Sequence, residues 1–382
     1  MKSPIAKVLL FLVLYQLIAL VLINQYHYSP EDYSKKSLSI LDYWNRNSLL
    51  KSHLIPTYLE NDSAKMYLAH PPLAYYTLYA FNKLFGFKSF YVLNSLLVVI
   101  SAFFVYLTIC LLTLKKARTE TSIFAWLGMI LFLTSFPILR FQLLNFHPDI
   151  FVLPFLIIAQ YLFLKLLMKE RYRSLKYLFL IGLSLALLCY SSWFGAVFNF
   201  IVVLMAMINL RKGYKLVPYI LIATLITISI TMLIYGQYSI YGGWKNVIFY
   251  FKDTYLRESP FYGHIRQSGW QIILQIIRNL GVLIFTLVLF IGYSFKAKKR
   301  KFLFTKNGYR YLILSILPVL VYSILLVHYF QNTFASLYFV APIIACIAVW
   351  LEKLFRNEKS SSTFLKIVSF ILITNLSLFL IL

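Results

Sequence analysis

Three carboxylates, three histidines and three arginines in this chain have the chemistry and the setting to act on a bound substrate. Glu31 and Asp32 stand side by side just past the first apolar run and are followed at once by Tyr33. A carboxylate there can take a proton from a hydroxyl as a general base, and acids after Pro30 also suit the first turn of a helix. Asp149 lies in Asn145-Phe146-His147-Pro148-Asp149 and is the only acid between Thr121 and Lys169. It can cap the helix that starts at Ile150, or it can serve a substrate, because an acid at the mouth of a helix bundle is expensive to bury. His147 and Asp149 are the candidate ligands if a divalent ion is held. No His-Glu-x-x-His pattern occurs and no two histidines stand at i, i+4, which removes zinc proteolysis. Arg257 and Arg266 fall in a polar stretch at 236–269, and Arg278 lies some two turns into the apolar run after it. A guanidinium in such a place can grip a lipid phosphate through two parallel hydrogen bonds.

The elements that must position these groups are membrane helices. Of 382 residues, 61% are hydrophobic and 13% charged, against about 25% charged in soluble proteins. The chain is read as an all-α polytopic membrane protein forming one integral domain over 1–382, with its first span retained as a helix rather than removed as a signal. The formal charge of +25 sits in short basic clusters between apolar spans, so it marks topology and anionic headgroups rather than nucleic acid. Cys110, Cys189 and Cys346 all fall within apolar spans, without metal-like spacing.

His70-Pro71-Pro72-Leu73-Ala74-Tyr75-Tyr76 opens an aromatic run that ends near Phe87. Paired prolines suit a first helical turn, so a helix should begin there and carry Tyr75. A run this short does not cross a bilayer well. If it does not cross, every basic cluster (Lys115/Lys116/Arg118, Lys169 to Lys176, Arg211 to Lys215, Lys296 to Lys301, Lys353 to Lys359) falls on the side of the N-terminus. The positive-inside rule then gives about eleven spans, a cytoplasmic N-terminus and two large outer loops at 25–88 and 236–269. All six histidines and most acids gather on that outer face. The inner loops are short and carry no glycine-rich phosphate loop, so cytosolic nucleotide is not the energy source.

In this order the motifs resemble the type-C glycosyltransferases, multi-span enzymes that use a polyprenyl-phosphate sugar on the outer face. Within that class the chain is similar to the branch of protein O-mannosyltransferases and the aminoarabinose transferase of lipid A. The resemblance covers residues 5–210 and rests on Glu31-Asp32-Tyr33, the His70-Pro71-Pro72-Leu73 run with Tyr75-Tyr76, Phe85-Gly86, and Pro148-Asp149. It implies sugar transfer from a polyprenyl-phosphate donor to an acceptor hydroxyl on a glycan, lipid or protein, with inversion at the anomeric carbon. Asp32 or Glu31 would be the base, and Arg257, Arg266 or Arg278 would meet the leaving phosphate with His70 or His328 assisting. Asp149 would orient the acceptor or an ion. No soluble domain follows the last span, so no protein acceptor is marked, and the inner membrane of a bacterium is the expected location. Two other readings are an O-antigen-type ligase and a lipid or sugar transporter. A ligase usually carries a larger outer loop than 236–269. A transporter usually shows internal repeats and helices broken at midplane, and the sequence suggests neither.

Overall fold

The computed structural model describes residues 4–25, 32–60, 63–67, 70–86, 89–113, 123–143, 148–168, 174–209, 217–258, 306–325 and 336–355, with Leu274 and Val288. Over these residues the chain forms thirteen helices and one β-hairpin. In order they are α1 (Pro4–Gln25), α2 (Asp32–Asn47), β1 (Thr57–Glu60), β2 (Ser63–Met66), α3 (Leu73–Phe85) and α4 (Ser89–Thr113). There follow α5 (Ile123–Leu133), α6 (Phe136–Leu143), α7 (Pro148–Met168), α8 (Leu175–Ser191), α9 (Phe194–Asn209) and α10 (Val217–Gly242). The last three are α11 (Trp244–Glu258), α12 (Lys306–Leu325) and α13 (Leu337–Phe355). The protein is an all-α polytopic membrane protein: five of these helices are long and apolar enough to cross a bilayer, or six if α5 and α6 count as one bent span. The expected spans near 270–295 and 364–382 lie outside the described residues.

At the centre of the bundle, α4 packs against α1, α3, α5, α6, α7 and α13. Its 25 residues carry no charge and rise about 37 Å, more than the roughly 30 Å of hydrocarbon in a bilayer. Hydrophobic transfer does not pull helices together in lipid, so close packing must do it. Gly128 supplies such packing, because a Cβ there would collide with Ile109 of α4 and touch Ala348 of α13.

The apolar run at 121–138 reads as one span, but the structure breaks it between α5 and α6 with a bend of 53°. Pro137 accounts for the break: it has no amide proton to continue the ladder, and the Ser135 hydroxyl turns back onto the Phe132 carbonyl. By contrast α3, at 13 residues and about 20 Å, is too short to span, and it packs across the ends of α4, α7 and α8. Gly86, at φ 61°, ends it.

Candidate functional site

The site is built where α3 meets the ends of the bundle helices. Pro71 and Pro72 are buried, and the Pro72 carbonyl accepts the amides of Tyr75 (3.0 Å) and Tyr76 (3.1 Å), starting α3 where the paired prolines require. His70, only 7% exposed, lies against the ring of Tyr67 at 6.1 Å between centroids. Tyr67 also meets Tyr75 edge-on at 5.6 Å and Tyr58 at 6.2 Å. The hydroxyls of Ser37 of α2, Tyr75 and Tyr67 hydrogen-bond in series. Burial pushes both phenols above their ordinary range, so they work as neutral hydrogen-bonding groups. Lys36, exposed on α2, holds its ammonium over the Tyr58 ring at 4.5 Å and the Tyr67 ring at 4.9 Å. That places a cation at the rim of the cluster.

Asp149 supplies the buried charge. It is 0% exposed in the first turn of α7, where helix amides favour a carboxylate, and it accepts a hydrogen bond from the Tyr338 hydroxyl at 2.6 Å. Tyr338 is fixed in turn by stacking on Phe194 at 4.5 Å. Asp149 acts electrostatically on Tyr67, which ties it to the His70 side of the site. A charge buried this way costs several kcal/mol unless it is paired and bonded, so the cluster is organised around it.

A second layer joins the first loop to α10. The side-chain amide of Gln237 donates to the carbonyls of Leu54 (3.0 Å) and His53 (3.3 Å) and to the Tyr76 hydroxyl (3.0 Å). Tyr76 itself donates to the Leu54 carbonyl and accepts from Tyr190. His53 stacks flat on Tyr241 at 3.8 Å, although its φ of 54° is a left-handed conformation. Tyr238, fully buried, finds no hydrogen-bond partner for its hydroxyl among the described residues.

Of the residues singled out from the sequence, His70, Tyr75 and Asp149 come together here. Asp32 and Tyr33 form the first turn of α2, one turn ahead of Lys36 and Ser37. Arg257 lies in the last turn of α11. Glu31, His147, Arg266, Arg278 and His328 fall outside the described residues. Among the described residues no three His, Cys, Asp or Glu side chains gather to hold a metal. Sequence reasoning passed over Lys36, Tyr67, Gln237, Tyr238 and Tyr338 as functional positions. Lys36 had a signal, standing one helical turn after Asp32. Among 30 tyrosines, the other aromatic positions had none.

Residues 69–235 match the family model of the dolichyl-phosphate-mannose-protein mannosyltransferases, a segment that includes His70, Tyr75, Asp149 and Tyr190. The fold is similar to that of ArnT from Cupriavidus metallidurans, solved with undecaprenyl phosphate bound (TM-score 0.62, 12% identity), covering 94% of this chain and 62% of that one. It is also similar to the Archaeoglobus fulgidus oligosaccharyltransferase in its apo form (TM-score 0.55, 14% identity), covering 99% of this chain and 55% of that one. The chain thus spans about three-fifths of the length of the structures it matches. No curated protein sequence matches it significantly. The chain is a polytopic membrane protein with the type-C glycosyltransferase fold, and its segment 69–235 resembles the dolichyl-phosphate-mannose-protein mannosyltransferases.

Proposed function

We propose that the protein transfers a sugar from a polyprenyl-phosphate donor to an acceptor hydroxyl, on the outer face of a bacterial plasma membrane and with inversion at the anomeric carbon. The observation that carries this reading is a type-C fold that holds the buried Asp149–Tyr338 pair within electrostatic reach of Tyr67, which itself packs on His70 and under Lys36. The undecaprenyl phosphate bound to the similar ArnT supports a lipid-phosphate donor. In this reading the whole chain is one membrane domain, with 25–88 and 236–269 as its outer loops.

Asp32 or Glu31 takes the acceptor proton as the hydroxyl attacks the anomeric carbon from the face opposite the phosphate. The carbon–oxygen bond to the phosphate breaks, and its electrons leave with the polyprenyl phosphate. Lys36, at the rim, steadies that charge together with Arg257, Arg266 or Arg278, assisted by His70 or His328. Asp149, held by Tyr338, orients the acceptor.

The test is to incubate purified protein with a panel of polyprenyl-phosphate sugars and an acceptor extract, and to follow free polyprenyl phosphate. Release from one sugar is the expected result. Consumption of a polyprenyl-diphosphate glycan instead would point to a ligase, and silence on both would point to transport. Alanine at both Glu31 and Asp32 should abolish release at unchanged protein abundance; retained release in that double variant would overturn the base assignment.

A further inference from the structure

The cluster beneath the Gln237 clamp contains one polar group that the fold leaves unused. Tyr238 is 0% exposed and its hydroxyl has no hydrogen-bond partner among the described residues, whereas Tyr76 and Tyr190 beside it are bonded to each other. A buried donor without a partner costs stability, and most folds avoid it. Ile55, Ile234 and Val247 pack with its ring as a buried apolar cluster, and Tyr190, Trp193 and Tyr235 pack against that cluster. The same cluster borders a cavity of about 430 Å³ lined by Tyr235, Trp244, Val247, Ile248, Phe251 and Lys252. Tyr67 links the cluster to Asp149. Gly242 and Gly243 (φ 78°) form the elbow between α10 and α11, and α11 carries most of the cavity wall.

We propose that this cluster is the seat of a neutral sugar ring, with the Tyr238 hydroxyl bonding a ring hydroxyl and the aromatic side chains covering the ring's apolar face. Phenols and stacked rings suit an uncharged polyol, and the one cation of the cavity wall, Lys252, stands exposed at its edge. The ring reaches Tyr238 when α11 swings at the elbow. The proposal rests on the reading as a sugar transferase only for the source of the polyol, which is the donor's sugar or the acceptor's.

The test compares wild type with Tyr238→Phe and Trp244→Ala. It measures binding of a polyprenyl-phosphate sugar, binding of bare polyprenyl phosphate, acceptor KM and thermal midpoint. Both variants are expected to bind the sugar-bearing lipid about five- to tenfold more weakly and the bare lipid unchanged, with Tyr238→Phe melting no lower than wild type. The same loss appearing in acceptor KM instead would assign the seat to the acceptor sugar. Variants equal to wild type for donor and acceptor alike, while wild type turns over, would overturn this seat and leave the proposed activity standing. If wild type releases no polyprenyl phosphate at all, the proposed activity fails by itself. Soluble methyl glycosides then decide the seat: binding to wild type and about fivefold less to Tyr238→Phe upholds it, and equal or no binding overturns it.

Discussion

Among the described residues, two of the buried polar clusters are finished in opposite ways. Between α1, α4 and α6, Tyr15 donates to Gln142 (2.7 Å), Gln142 donates to Ser95 (2.9 Å), and Ser95 donates to Gln16 (2.8 Å). Asn94 beside them donates to the Phe141 carbonyl at 2.8 Å, holding the bent α6 against α4. That cluster is neutral and links each helix to its neighbours through complementary groups. The cluster around Asp149 carries a buried acid and a cation at its rim. Membrane helices use neutral polar pairs to fix packing, while an ionisable group within a span marks a site of action. The first cluster therefore reads as architecture and the second as chemistry.

The largest effect that would break this contrast is at Asp149. Asp149→Asn keeps the shape and an acceptor for Tyr338 but removes the charge. Turnover should fall about 100- to 1,000-fold at unchanged abundance, measured by polyprenyl phosphate release. A rate near wild type would make Asp149 a structural acceptor, and the two clusters would then be alike. Lys36→Ala should raise the donor KM about tenfold, since an exposed cation is partly screened, and should leave the thermal midpoint in place. A fall in melting temperature without a change in KM would assign Lys36 to packing of the hairpin instead. The smallest effect is expected in the neutral cluster. Gln142→Leu should cost about 1 kcal/mol of stability and leave the turnover of the folded fraction unchanged, because membrane hydrogen bonds are individually modest. Loss of specific activity in that variant would mean that the bend at α5–α6 serves the site.

Much of the frame was legible from residue order. Pro71-Pro72 placed the start of α3 and Gly86 its end, where φ must be positive, whereas α7 begins at Pro148 rather than Ile150, so Asp149 lies inside its first turn instead of capping it. Asp149 was legible because a lone acid in apolar surroundings stands out. The bend at 134–135 was not, since an unbroken apolar run masked the signal of Pro137. Nor was the short hairpin pairing Thr57 with Met66 and Glu60 with Ser63, because four-residue strands leave little periodicity to read. Tyr338 and Tyr238 acquire meaning only through partners far away in sequence. Tyr190 and Trp193, at the short connection between α8 and α9, pack against the Tyr238 cluster, a contact that their local sequence does not reveal.

The bond between Asp149 and Tyr338 joins residues 189 positions apart, and the clamp from Gln237 to His53 joins residues 184 apart. On a ribosome adding about 5–20 residues per second, each first member waits roughly 10–40 s for its second. During that interval the acid sits at the mouth of an incomplete bundle with no phenol to hold it, and the first loop has nothing to fasten to. Biogenesis thus has an order built into it: the helices nearest the N-terminus can insert and pack early, while the site closes only once α13 has followed. A chain halted before α13 would be a nearly complete membrane protein with an inert end.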